Sequence, residues 1–311
     1  MSFDKTDWIW MNGEFVPWDD AKIHILSHAI HYGSVVFEGM RCYDTPKGPG
    51  LFRLDAHVRR LFDSAKIYRM EVPYSADEIT RAIEDTVREN GRKACYVRPL
   101  VYRGYGALGV NPLPSPVEVT IATWGWGSYL GPGAAENGVD VCVSSWTRFA
   151  PNTLPALAKS AANYMNSQLT KIEAITNGYV EGIMLSTAGT VAEGSGENLF
   201  AVRDGVIYTP PLGGSILGGI TRDSAIVIAR DEKLTVVETD LPREFLYIAD
   251  ELFFTGSAAE ITPIRSVDKI VIGKGRRGEI TRRLQARLAA IATGMAADAF
   301  GWVQIVEQVP A

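Results

Sequence analysis

Two tight-turn dipeptides constrain the fold of this chain. Asn12-Gly13 lies between the short runs 8–11 and 14–16, and Asp204-Gly205 lies between 199–202 and 206–208. A two-residue hairpin turn of type I′ needs positive φ at both central positions, which Asn, Asp and Gly adopt at little cost. Each dipeptide therefore commits its flanks to an antiparallel pair. Helical signals stand between them. Val58, Leu61, Phe62, Ala65 and Tyr68 recur at helical spacing within 56–69. Ser75-Ala76-Asp77-Glu78 reads as a capping box, opening a helix that stops at Asn90-Gly91. Further strands are predicted at 94–102, 117–123, 139–145, 252–255 and 267–272, and helices at 161–175, from near Thr221, and at 279–297. Hairpins and helices without strict βαβ alternation predict an α+β protein with mixed sheets.

At 311 residues the chain is long enough for about two domains and for cores that need no disulfide or metal staple. The Gly-rich stretch 124–138 suits the connection between them. A net charge of -5 has the wrong sign for a general nucleic-acid binder. Cys42, Cys95 and Cys142 are far apart and offer neither a metal spacing nor a disulfide framework, which fits a reducing compartment. The first residues have no basic segment followed by an apolar one, and no apolar run reaches the length of a membrane span. The expectation is a cytoplasmic protein.

Some motifs suggest chemistry and fail on context. Gly273-Lys274-Gly275-Arg276-Arg277-Gly278 matches a dinucleotide-binding pattern, but only 33 residues follow it, too few for the rest of such a domain. A solvated strand-to-helix turn is the better reading. His24, His28 and His31 would share one helical face, yet no cysteine and no HExxH or CxxC spacing accompanies them. Packed histidines with ordinary hydrogen bonds are expected, and no metal. Neither a Walker A sequence nor a nucleophile elbow occurs.

Lys159 is different. Nine of the ten lysines have polar or charged neighbours, whereas Lys159 is the only charged residue between Arg148 and Lys171. A lysine in an apolar stretch either snorkels from a helix face or is partly desolvated. Desolvation disfavours the ammonium form and leaves the neutral amine that attacks carbonyls to form Schiff bases. Three loops strengthen the second reading. Glu193-Gly194-Ser195-Gly196-Glu197-Asn198 is an acidic turn bracketed by glycine, open to close approach by a flat ring. Gly218-Gly219-Ile220-Thr221 leads into a helix whose first N–H groups can hold a phosphate. Thr255-Gly256-Ser257-Ala258-Ala259 is a second small-residue loop after a strand. One lysine, one carboxylate and two anion-ready loops together fit pyridoxal phosphate.

The blocks HAIHYGSVVFEGMRCY (28–43), HVRRLFDSAKIY (57–68), YVRPLVYRGYGALGVNP (96–112), SSWTRFAPNTLPALAKSAANY (144–164), EGSGENLF (193–200), LGGITRD (217–223) and TGSAAEITPIRSVD (255–268) span almost the whole chain. Through them the sequence resembles the fold-type IV pyridoxal-phosphate enzymes, and among these the bacterial branched-chain-amino-acid aminotransferases. The resemblance implies two α/β domains with the cofactor at their interface: a small one over 1–125, a connection over 126–137 and a large one over 138–311. It also implies at least a homodimer.

Roles follow from the same resemblance. Lys159 would link to the cofactor aldehyde and then shuttle the proton between Cα and C4′. Glu193 would pair with the ring nitrogen, and Tyr164 would hydrogen-bond the 3′-oxygen. Arg60, Ile220, Thr221 and Ser257 would hold the phosphate, and Leu217 would pack on a ring face. Ser257 stands where the family often has Thr, and the hydroxyl is kept. On the substrate side, Arg98 would receive the distal carboxylate of glutamate or 2-oxoglutarate. Tyr96 and the Ser257-Ala258 N–H groups would take the α-carboxylate. Tyr32, Phe37, Trp126, Tyr129 and Val110 would line an apolar slot, with Val110 entering from a second copy of the chain. The implied reaction moves the amino group of leucine, isoleucine or valine to 2-oxoglutarate. D-amino-acid and (R)-amine transaminases share the fold and are the alternative. A nucleotide-dependent oxidoreductase and a non-catalytic binding module are the rivals of other classes.

Overall fold

Asn12 and Gly13 adopt φ of 49° and 100°, and the turn they form closes β1 (Trp8–Met11) on β2 (Glu14–Pro17) with Trp10 opposite Phe15. The computed structural model describes residues 4–127 and 129–307. Ser128, within the connection expected at 126–137, lies outside the described residues. The chain divides into two compact units. The first comprises Met1–Gly127, Ala158–Ala162 and Ala290–Ala311; the second comprises Ser128–Leu157 and Asn163–Ala289.

The first unit adds β3 (Val35–Phe37), β4 (Met40–Thr45), β5 (Gly48–Phe52), β6 (Cys95–Arg103), β7 (Val117–Trp124) and a C-terminal strand, Val303–Ile305. The sheet order is C-terminal strand–β5–β4–β6–β7–β1–β2, with β3 also on β6, and each of these pairings is antiparallel. Its helices are α1 (His28–Tyr32), α2 (Leu54–Ile67) and α3 (Ala76–Glu89). The capping box opens α3: Ser75 Oγ accepts from Glu78 N–H at 3.3 Å and the Glu78 carboxylate accepts from Ser75 N–H at 2.7 Å. Such a cap contributes about 1 kcal/mol. Leu61 of α2 and Ile79 and Ile83 of α3 join Val97, Val119 and Ile121 of the sheet in one core. Burying each of these side chains contributes about 1.5–3 kcal/mol.

The second unit contains β8 (Val139–Val143), β9 (Glu181–Leu185), β10 (Val191–Gly194), β11 (Asn198–Arg203), β12 (Val206–Thr209), β13 (Val236–Glu238), β14 (Glu251–Gly256), β15 (Glu260–Val267) and β16 (Ile270–Val271). Its sheet runs β10-β9-β8-β15-β14-β11-β12-β13, with β16 on β15. Parallel pairings (β8–β9, β8–β15, β12–β13) mix with antiparallel ones. Because β10 also pairs with β11, six strands close a ring. The helices are α4 (Ala134–Asn137), α5 (Tyr164–Thr176), α6 (Ile220–Asp231), α7 (Phe245–Ile248) and α8 (Glu279–Ala292), the last leading the chain back to the first unit.

Two elements differ from the sequence expectation. The strand predicted at 267–272 is instead β15 with the two-residue β16. Pro263 obscures β15, since a proline argues against a central strand. It is tolerated because pairing with β8 begins only at Ile264. The last helix ends at Ala292 rather than 297, because Gly294 takes a left-handed φ of 70° and its N–H turns back to Ile291 O.

The motifs with failing context also resolve. Glu251 caps α8, accepting from Ile280 N–H at 3.0 Å and Thr281 N–H at 2.8 Å, so a carboxylate already occupies the helix end that a nucleotide phosphate would need. The helix that would align His24, His28 and His31 covers only His28–Tyr32. His28 Nε2 donates to Gly109 O at 2.9 Å, and His31 Nε2 donates to Ile25 O at 3.0 Å.

Candidate active site

Lys159 lies in the short segment Ala158–Ala162, which belongs to the first unit. Its backbone is held on both sides. Phe37 N–H donates to Lys159 O at 3.0 Å, Lys159 N–H donates to Ser64 Oγ at 3.0 Å, and Ser160 bridges to Val36. The main chain is thus fixed to β3 and α2, while the four-carbon side chain keeps its own freedom. The side chain is half-buried, with Nζ 5.0 Å from the Phe37 ring centre.

Directly after β3, Glu38 is fully buried. Its carboxylate accepts from Arg60 Nε at 2.6 Å, Arg60 Nη2 at 2.9 Å and His57 Nδ1 at 2.6 Å. Burial by itself raises a carboxyl pKa, but the Arg60 guanidinium and the His57 ring outweigh it and hold Glu38 far below the usual carboxylate range. Burial dominates for His57 and lowers its pKa, against the opposing pull of the Glu38 carboxylate. Arg60, expected from sequence as a phosphate clamp, is therefore already gripped from behind by a bidentate pair.

Alternation on β6 places Tyr96 and Arg98 on one face. The Arg98 guanidinium lies 4.7 Å from the Phe37 ring, 5.3 Å from Tyr96 and 5.6 Å from Trp124. Its Nη2 donates to Tyr96 OH at 3.4 Å, and its Nε is buried with no hydrogen-bond partner among the described residues. Trp126 stacks on Tyr96 at 4.5 Å. Phe37, Tyr96, Arg98, Trp126 and Lys159 thus form one neighbourhood. Tyr32, at the end of α1, and Val110, on a loop, lie on a different feature, where Gly109 N–H donates to Tyr32 OH at 3.1 Å and Val110 is 90% exposed.

In the second unit Glu193 sits on β10 opposite Asn198 of β11. One carboxylate oxygen pairs with Arg148 at 2.9 Å; the other accepts from Leu217 N–H at 3.0 Å and Asn198 Nδ2 at 3.1 Å. Asn198 Nδ2 also donates to Leu217 O at 2.8 Å, and Arg148 Nε donates to Ser215 O at 3.2 Å. Leu217 therefore enters the site through its main chain. Two residues on, Gly219 precedes α6 without any side-chain cap, leaving the first-turn N–H groups of Ile220 and Thr221 uncapped by a side chain. A Cβ on Gly219 would stand 1.9 Å from Asn198 Oδ1, so only glycine fits there. Tyr164 opens α5. Ser257 and Ala258 follow β14, and the Oγ1 of Thr255 at its end is buried without a partner among the described residues. Tyr129 lies beside the acidic turn, its hydroxyl 3.6 Å from where a Gly196 Cβ would be.

Glu197, inside that turn, is buried. Desolvation, with the neighbouring Glu181 carboxylate, pushes its carboxyl up to about 8. A folded-state pKa raised above the ordinary 4.5 contributes stability below pH 4.5 that is lost as pH rises through 8. Glu197→Gln removes this loss. Thermal unfolding of variant and parent should diverge in the variant's favour by about 5 °C between pH 5 and pH 9. A constant difference across that range would show that Glu197 does not titrate there.

Glu38, His57, Arg148 and Asn198 are structural partners that sequence reasoning passed over. Glu38 had a usable signal, as a lone acid in the apolar run SVVFEGM. Asn198 lies five residues from Glu193 in the acidic turn itself, whereas Arg148 had no signal, since Glu193 meets it only through the fold.

The class IV amino-transferase family model matches residues 35–267. The chain is 51% identical to the branched-chain-amino-acid aminotransferase of Escherichia coli (strain K12), over 99% of this chain and 100% of that one. It is 47% identical to the enzyme of the same description from Pseudomonas aeruginosa, over 98% and 99%. Among solved structures, an Escherichia coli branched-chain amino acid aminotransferase superposes with a TM-score of 0.96 at 51% identity, covering 97% of this chain and 100% of that one. A branched-chain amino acid aminotransferase from T.th., solved with pyridoxamine 5'-phosphate, gives 0.94 at 50% identity, covering 97% and 99%.

Proposed function

The chain belongs to the class IV aminotransferases, and from that premise we propose that it transfers the amino group of L-leucine, L-isoleucine or L-valine to 2-oxoglutarate with pyridoxal phosphate as cofactor. The observation that carries the reading is the end-to-end similarity to enzymes of that specificity, at about half of all positions identical. Local chemistry supports it. The side-chain-uncapped start of α6 suits a phosphate, Glu193 offers a carboxylate to a ring nitrogen, and Lys159 offers an amine from a fixed main chain. When bound, the cofactor's aldehyde takes up the amino group and its protonated ring withdraws electrons from the carbon that loses a proton.

The residues divide the remaining work. Lys159 Nζ takes the proton from the substrate Cα and delivers it at cofactor C4′. Glu193 keeps the proton on the ring nitrogen, and Tyr164 donates to the 3′-oxygen. Arg60, Ser257 and the N–H groups of Ile220 and Thr221 hold the phosphate, and Leu217 lies against a ring face. Tyr96 and the Ser257-Ala258 N–H groups orient the α-carboxylate. Tyr32, Phe37, Val110, Trp126 and Tyr129 form the apolar slot, and Arg98 meets the second carboxylate of the acceptor. The apolar residues exposed on the loops around Ile25, Tyr105, Leu108 and Val110 support a homodimer in which Val110 reaches a second copy. Three buried free cysteines suit a cytoplasmic setting. No helix among the described residues is long and apolar enough to cross a membrane.

One kinetic panel tests the reading. The purified chain should turn over the three branched L-amino acids with 2-oxoglutarate and leave their D-enantiomers untouched; the reverse preference overturns it. In the same panel Arg98→Leu should lower kcat/KM for 2-oxoglutarate about a hundredfold, since a charged hydrogen-bonding partner is removed, and that for leucine only a few-fold. Equal losses for both would remove Arg98 from acceptor recognition.

A further inference from the structure

We infer that Glu38 is a positioning residue that fixes the Arg60 guanidinium in the orientation in which it meets the cofactor phosphate; this rests on the reading of Arg60 as a phosphate-holding residue. Glu38 is itself 0% exposed and is surrounded by donors from its own unit: Arg60 Nε and Nη2, His57 Nδ1 and, at 3.3 Å, Gly39 N–H. Of the three side chains in this cluster, His57 is 1% exposed and Arg60 is 14% exposed. Arg60 is thus the member through which the cluster faces outward. His57 and Arg60 stand three residues apart on α2, so one carboxylate can hold both.

The carboxylate is itself well fixed. Glu38 N–H donates to Pro99 O at 2.9 Å, and the preceding Phe37 N–H is bonded to Lys159 O. A Cβ on Gly39 would stand 1.8 Å from the Tyr96 hydroxyl, so the chain after Glu38 runs where only glycine passes. One short stretch, Phe37 to Gly39, therefore fixes the backbone of Lys159 and the guanidinium of Arg60 together. An unheld arginine has many rotamers, and bidentate pairing removes that freedom before any ligand arrives.

The competing account is electrostatic, and it predicts the opposite sign. A carboxylate cancels part of the arginine charge, so Glu38→Gln should tighten phosphate binding if charge alone mattered. If position matters, it should weaken it. The measurement is displacement of pyridoxal phosphate from the full-length holoenzyme by pyridoxal, which lacks the phosphate. The midpoint reads the preference for the phosphorylated form. A merely structural role weakens both ligands alike and leaves the midpoint where it was.

Glu38→Gln should lower the pyridoxal excess needed by about tenfold, and Arg60→Leu should lower it at least as far. A midpoint for Glu38→Gln that is unchanged or raised, with Arg60→Leu lowered, overturns the positioning role and leaves the reading of Arg60 standing. An unchanged midpoint for Arg60→Leu overturns both. Should Glu38→Gln fail to give a cooperative melt, Glu38→Asp, which keeps the charge and withdraws it by one methylene, is judged by the same criterion.

Discussion

Lys159→Ala should abolish the borohydride-reducible visible absorbance of the purified protein and lower turnover by about 10⁴-fold or more. On the proposed reading two functions would disappear with one nitrogen, the link to the cofactor aldehyde and the transfer of the proton between two carbons. The structure also says what should survive. The backbone at 159 is held by Ser64 Oγ and Phe37 N–H, neither of which depends on the lysine side chain. That side chain is half-buried and not part of either core. The variant should therefore melt within a few degrees of the parent, and the loss is chemical. Wild-type turnover in the variant would end the assignment of this lysine.

Replacing Glu193 should cost both chemistry and stability, and the two can be separated. Glu193 and Arg148 are a buried ion pair at 2.9 Å. Glu193→Gln leaves the guanidinium buried without its counter-charge, which costs about 3 kcal/mol or more. An amide also cannot hold a proton on a ring nitrogen as a carboxylate does, so turnover should fall about a thousandfold. Adding Arg148→Met removes the orphaned charge, and an apolar replacement of a buried pair is often neutral for stability. The double variant should recover most of the lost melting temperature and none of the turnover. If turnover returned with stability, Glu193 would be only a counter-ion to Arg148.

Much of this protein was legible before its fold. The hairpins at Asn12-Gly13 and Asp204-Gly205 and the Ser75–Glu78 capping box are local: a few adjacent residues decide φ or a cap, whatever surrounds them. Lys159 stood out because the absence of charge around it is itself a property of the sequence. The blocks that carry the family resemblance pointed to the chemistry because each is a contiguous stretch of sequence.

What the chain's order could not supply were the partners. Glu38 with Arg60, Arg148 with Glu193, and the fit of Gly219 beneath Asn198 join residues 22, 45 and 21 positions apart, each pair linking a loop residue to a helix or a strand. Those contacts exist because α2 packs against β3, because Arg148 N–H is held on Leu185 O of β9 beside β10, and because Asn198 Nδ2 is tied to Leu217 O just ahead of Gly219. A buried charge must find a counter-charge or lose its ionisation, and which residue answers is a question of distance in space. Residue types and local turns thus determined which chemistry this chain can perform, and the tertiary structure alone decided what holds each reacting group in place.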